Sequence, residues 1–95
     1  MTLDMNEALA EHIVIQGISL LSDEARRVLS ATPDDFRRVV GAAVYESQGQ
    51  KAGSDYGRGM YFGRALGILT AGAALGVITY PQLEVLMASL EAIQK

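Results

Sequence analysis

The sequence predicts an all-α fold, a compact bundle of four to five helices closing with an αα-hairpin over about 56–75 and 80–94. Three observations predict it. Leu83, Leu86, Met87, Leu90 and Ile93 recur at helical spacing. Helix-start signals stand at Asp4, Ser22, Thr32 and Thr79. A helix stop stands at Gly76, directly before the last start. At 95 residues, the chain reads as a single domain over 1–95 with one small core.

The first helix is placed over 5–21. Asp4 followed by Glu7 forms a capping-box-like start. Met5, Leu9, Ile13 and Leu20 fall near one face, with Ala8, Ile15 and Ile18 beside it. The run Ile13, Val14, Ile15 is β-branched and lowers helix propensity, but the segment is too long for a strand.

Residues 22–29 (SDEARRVL) and 33–40 (PDDFRRVV) then resemble each other at an offset of eleven. Ser22 heads the first, and Thr32 stands before the second. Pro33 fits the first helical position, where its missing N–H is harmless. The acids that follow complement the helix dipole, and Asp34 and Arg38 are i,i+4 partners. The two segments read as helix starts built by the same rules; a paired-arginine anion site is the alternative. The second helix continues through Val39, Val40, Ala43 and Val44 to about Ser47, and residues 47–53 read as a polar loop.

Ser54 or Asp55 caps the next helix. Gly76 suits the left-handed position after its end, with Val77 as the apolar residue of a Schellman motif. Thr79 and Gln82 form a capping box for the last helix, and Ile78 can staple onto Leu83. Pro81 falls in the first turn, where it is tolerated.

Composition removes several classes of function. Without cysteine there is no disulfide scaffold, no thiolate zinc site and no thiol enzyme. The N-terminus lacks a basic leader segment and carries acids early, so a cytoplasmic protein is expected. Ala65–Leu83 is uncharged for nineteen residues, but Gly67, Gly72, Gly76, Pro81 and the stop-and-start signal divide it, so no membrane span is expected.

The net charge of -3 is unevenly spread. Five acids and no base occupy residues 1–25, whereas residues 26–64 hold seven bases and four acids. The two regions can attract each other within a monomer or between subunits. The balance is too weak for a dedicated nucleic-acid binder, and the second helix of the hairpin bears Glu84 and Glu91.

No catalytic or metal constellation is legible. His12, the one histidine, sits among Ala8, Glu11, Ile15 and Gln16 as a boundary side chain. Glu7 and Glu11 lack the Glu-x-x-His spacing of bundle metal sites, and residues 48–54 lack the spacing of a phosphate loop. No enzyme activity, cofactor or metal is expected.

Glycine is the unusual component, with seven of ten between Gly53 and Gly76. Gly59, Gly63 and Gly67 recur every four residues, and Ala71 continues the spacing. Each interior glycine costs a helix about 0.8–1 kcal/mol relative to alanine. Three readings account for the strip. It permits close approach of another helix, within the chain or from a second copy. Alternatively Gly57 and Gly59 lie in a loop and the helix starts near Met60. In the third reading it is a ligand or partner surface.

At the head of the strip, Lys51, Tyr56, Arg58, Tyr61 and Arg64 form a candidate partner- or ligand-binding cluster, since tyrosine and arginine dominate interface hot spots. In the alternative, Tyr61 and Phe62 are core and the arginines are solvated. The expected function is a non-enzymatic interaction protein with a protein partner: a small acidic helical inhibitor, regulator or adaptor, of the phage- or plasmid-accessory kind, that self-associates as a homo-oligomer. The alternatives are an oligomeric binder of an anionic or nucleotide-like ligand at the Tyr/Arg cluster, and a DNA-binding regulator.

Overall fold

Short-range hydrogen bonds set most helix boundaries in this chain. The computed structural model describes the backbone of residues 5–49 and 55–94 and the side chains of residues 10–48 and 59–93. It contains α1 (Met5–Ser19), α2 (Asp23–Ser30), α3 (Asp34–Gly49), α4 (Asp55–Ala74) and α5 (Tyr80–Gln94), with no strand among the described residues. The fold is the expected all-α bundle. The start signal at Asp4, the cap at Ser54 and most of the 47–53 loop lie outside the described residues.

Ser22 is the N-cap of α2: its extended backbone leaves Oγ to accept from the Ala25 N–H at 3.2 Å. The stop and start between α4 and α5 follow the expected pattern throughout. Val77 N–H donates to the Gly72 carbonyl at 2.8 Å and Gly76 N–H to the Ala73 carbonyl at 3.1 Å, the two bonds of a Schellman motif. Gly76 takes φ of +78°, a conformation that a side chain would strain. The Gln82 N–H donates to Thr79 Oγ1 at 3.2 Å, and the Thr79 N–H donates to Gln82 Oε1 at 2.8 Å, closing the capping box.

Thr32 departs from the expected cap. Its hydroxyl donates back to the Leu29 carbonyl at 2.6 Å, closing α2 rather than opening α3. The Pro33 carbonyl instead accepts the first bond of α3, from the Arg37 N–H at 3.1 Å. α3 also runs two residues beyond the expected end, to Gly49.

α3 is the hub, packing against α1, α4 and α5, while α2 and α4 rest on α5. Leu29, Leu86 and Leu90 are fully enclosed at the centre of the core. Each such leucine contributes about 1.5–3 kcal/mol by leaving water. Val40 and Val44 of α3, Leu69 of α4 and Ile78 of the turn complete the centre. The α-carbon radius of gyration is 13.1 Å. That is near the roughly 13 Å of a compact domain of about 100 residues.

α1 departs from the expected face at Ile13 and Leu20; the side chains of Met5, Ala8 and Leu9 lie outside the described residues. The buried residues of α1 are Val14 and Gly17, with Leu21 buried just past its end, whereas Leu20 is 40% exposed, Ile15 is 53% exposed and Ile13 is only half-buried. The helix itself stops at Ser19, before Leu20 and Leu21. The reason is a glycine contact between α1 and α3. A Cβ at Gly17 would overlap the Gly41 carbonyl oxygen far inside any van der Waals contact distance, and one at Gly41 would meet the Val14 carbonyl oxygen at 2.9 Å. The two backbones touch there, and this crossing turns the rest of α1. Arg38 of α3 reinforces it by pairing with Glu11 of α1 at 2.9 Å, so acidic start and basic middle attract within one chain.

Candidate functional site

The candidate site is the outer side of α4 and the cleft it shares with α3. Ala65, Leu69 and Ala73 are the inward residues of α4, four apart, and they fix which side faces out. On the outer side stand Gly59, Met60, Gly63, Arg64, Gly67, Thr70, Ala71, Ala74 and Leu75, all exposed. Arg64 alone among these carries a charge. The Thr70 hydroxyl donates to the Leu66 carbonyl of its own helix at 2.8 Å. Solvated helix faces ordinarily carry charged and polar side chains; this one is smooth and nearly apolar.

Among the described residues, the glycine strip is therefore not an internal contact. No described atom lies within 4 Å of where a Cβ would stand at Gly59, Gly63 or Gly67. α4 also begins at Asp55, so Gly57 and Gly59 are helical and the entry-loop reading is corrected. The glycines that meet neighbours are others: Gly17 with Gly41, and Gly72, where a Cβ would lie 2.5 and 2.6 Å from Phe36 ring carbons. Phe36 reaches α4 because Gly72 is bare.

Beside that ring opens a cleft of about 330 Å³, lined by Phe36 and Val39 of α3, Ile68, Ala71 and Leu75 of α4, and Val77, with Asp35 at its edge. Val39 is 50% exposed and Leu75 80% exposed. Ala71 belongs to both strip and cleft, so the two form one surface. Phe36, Val39, Ile68, Leu75 and Val77 were not among the expected site residues. Their apolarity is visible in the sequence, but which α3 and α4 residues stay uncovered depends on how the two helices pack.

The expected Tyr/Arg cluster is partly assembled. The Arg64 guanidinium lies 5.3 Å from the Tyr61 ring centroid, over its face, and its Nη1 pairs with Glu46 Oε2 at 3.2 Å. Tyr61 and Phe62 are half-buried, and Phe62 packs on the core. Lys51 and the side chains of Tyr56 and Arg58 lie outside the described residues. Three of the four arginines in the two similar segments are engaged by carboxylates: Arg26 by Asp23, Arg37 by Asp34 at 2.7 Å, and Arg38 by both Asp34 and Glu11; Arg27 is exposed and makes no ion pair among the described residues. The Arg37 and Arg38 hydrogen bonds, in that order of effect, hold the Asp34 carboxyl below its ordinary pKa. These internal pairs occupy both arginines of the second segment and one of the first, so neither segment offers two unpaired arginines to an outside anion.

His12 is exposed, and no group of three or more histidine, aspartate or glutamate residues is placed to hold a metal ion among the described residues. Among the same residues, no helix is long and apolar enough to cross a membrane. Comparison with protein-family models, with curated proteins and with solved structures found no match to this chain.

Proposed function

We propose that this chain is a non-enzymatic protein–protein interaction module, a small acidic helical inhibitor, regulator or adaptor of the cytoplasm that docks through the outer face of α4 and the adjoining cleft. One observation carries the reading. A twenty-residue helix presents three glycines over open space, and its described outer side carries a single charge. Three open glycines cost the helix about 2.5–3 kcal/mol relative to alanine. No contact among the described residues offsets that penalty. A protein surface seated on the strip would offset it through close packing, and the exposed Leu75 and Val39 supply the apolar anchors such a surface needs.

Affinity capture with matched variants tests the reading. Wild-type protein and a Leu75→Asp variant are used side by side, with Glu84→Lys as a control on the exposed side of α5. The reading expects a protein retained by wild type and by Glu84→Lys but lost by Leu75→Asp. Identical capture by all three forms overturns it.

A further inference from the structure

We infer that the occupant of the α4 face is α4 of a second copy of this chain, crossing antiparallel about Gly67 in a twofold-symmetric dimer. The inference rests on the preceding reading of that face as a protein interface and names its partner.

Register is the first argument. About a twofold axis at Gly67, residues whose numbers sum to 134 stand at the same height along the helix pair. Gly63 then meets the partner's Ala71, Met60 meets the partner's Ala74, and Gly67 meets its own counterpart. Every bulky position on the strip faces a small one, so the helices can approach as closely as α1 and α3 do at Gly17 and Gly41.

Charge is the second argument. Arg64, already paired with Glu46, stands midway along α4, and a second acid, Asp35, stands at the cleft beside Ala71 and Leu75. Arg64, Ala71 and Leu75 fall on the same flank of the helical wheel. A twofold axis perpendicular to the helices keeps that flank in register. It brings Arg64 against the partner's Ala71 and Leu75, next to the partner's Asp35. Asp35 makes no salt bridge with the described residues, and its one charged neighbour there, Arg38, is held by Asp34 and Glu11. Arg64 pairs with Glu46 through Nη1, and a guanidinium has further N–H donors to offer. A parallel crossing would instead carry the partner's Asp35 to the opposite flank from Arg64, where the two could not pair. The surface is self-complementary only in the antiparallel sense, and the symmetry makes each ion pair twice.

The test is the mass of the wild-type protein in solution by light scattering and sedimentation, compared with that of charge variants. Wild type is expected at the mass of two chains. Arg64→Asp and Asp35→Arg should each raise the dimer dissociation constant by at least about tenfold. The double variant Asp35→Arg/Arg64→Asp should restore most of the affinity. Gly63→Leu should give a monomer with unchanged helical circular dichroism, because the position is open within the chain. A dimer indifferent to all four variants overturns the inference. So does a wild-type monomer. If the monomer still captures a protein in a Leu75-dependent way, only the identity of the partner falls. If capture is also indifferent to Leu75→Asp, the interaction reading falls with it.

Discussion

Two sets of helical glycines in this molecule do opposite things. At the α1–α3 crossing, Gly17 and Gly41 sit with backbone against backbone, and neither position has room for a methyl group. On the outer side of α4, Gly59, Gly63 and Gly67 sit at regular helical spacing with open space before them. In the first region the missing side chain is the contact. In the second it lowers helix stability and makes no contact with the described residues. An interior helical glycine is thus read by what lies opposite it, and an unfilled one marks a surface made for something else.

The sharpest way to break this contrast is Gly17→Ala. Backbone atoms cannot yield as a side-chain tip can, so the variant is expected to lose at least about 3 kcal/mol, the upper range for overpacking. Chemical denaturation measures it, and a near-neutral result would mean that α1 and α3 separate readily. Gly72→Ala should cost less, about 1–2 kcal/mol, because the Phe36 ring can swing away. Combined with Phe36→Leu, the loss should be less than additive in a double-mutant cycle.

The sign reverses at Gly63. In protein dilute enough to be monomeric, Gly63→Ala should raise stability by about 0.5–1 kcal/mol, since helix propensity improves and nothing is displaced. A fall in melting temperature would show that the face is covered after all. The smallest effect is electrostatic and lies at the edge of the tight crossing, where Arg38 joins Asp34 to Glu11. Hydrogen bonds from Arg37 and Arg38 lower the pKa of folded Asp34. Its contribution is therefore complete above the ordinary aspartate value near about 4 and disappears as pH falls through the lower folded value. The stability gap between wild type and Asp34→Asn should be present at pH 6 and close on acidification, as followed by denaturation at each pH.

Features that depend on neighbours in sequence were legible in advance. The Gly76 stop, the Thr79–Gln82 box and the Ser22 cap each involve residues within five positions, so their chemistry is complete in a short window. Features that depend on distant partners were not. Thr32 has two helices within reach, and its hydroxyl serves the preceding one. The face of α1 is decided by Gly41, twenty-four residues beyond Gly17, against the pull of Leu20 and Ile13. The strip on α4 was visible as a spacing, but a spacing has no direction, and only the burial of Ala65, Leu69 and Ala73 turned it outward. The cleft at Phe36 was invisible because it joins residues more than thirty positions apart.

One bond near the first helices reaches almost to the end of the chain. The Ser22 backbone N–H donates to the buried Ser89 hydroxyl of α5 at 2.8 Å, across 67 residues. α2 has only eight residues, too few to persist alone in water. Its packing is chiefly against α5. α2 is therefore the segment whose order waits on closure of nearly the whole loop, a late event when entropy must be spent before contact is made. In hydrogen exchange, amide protection in α2 reports whether the two ends of the chain have met, and a variant lacking the Ser89 hydroxyl should expose α2 while the α1–α3 crossing stays shut.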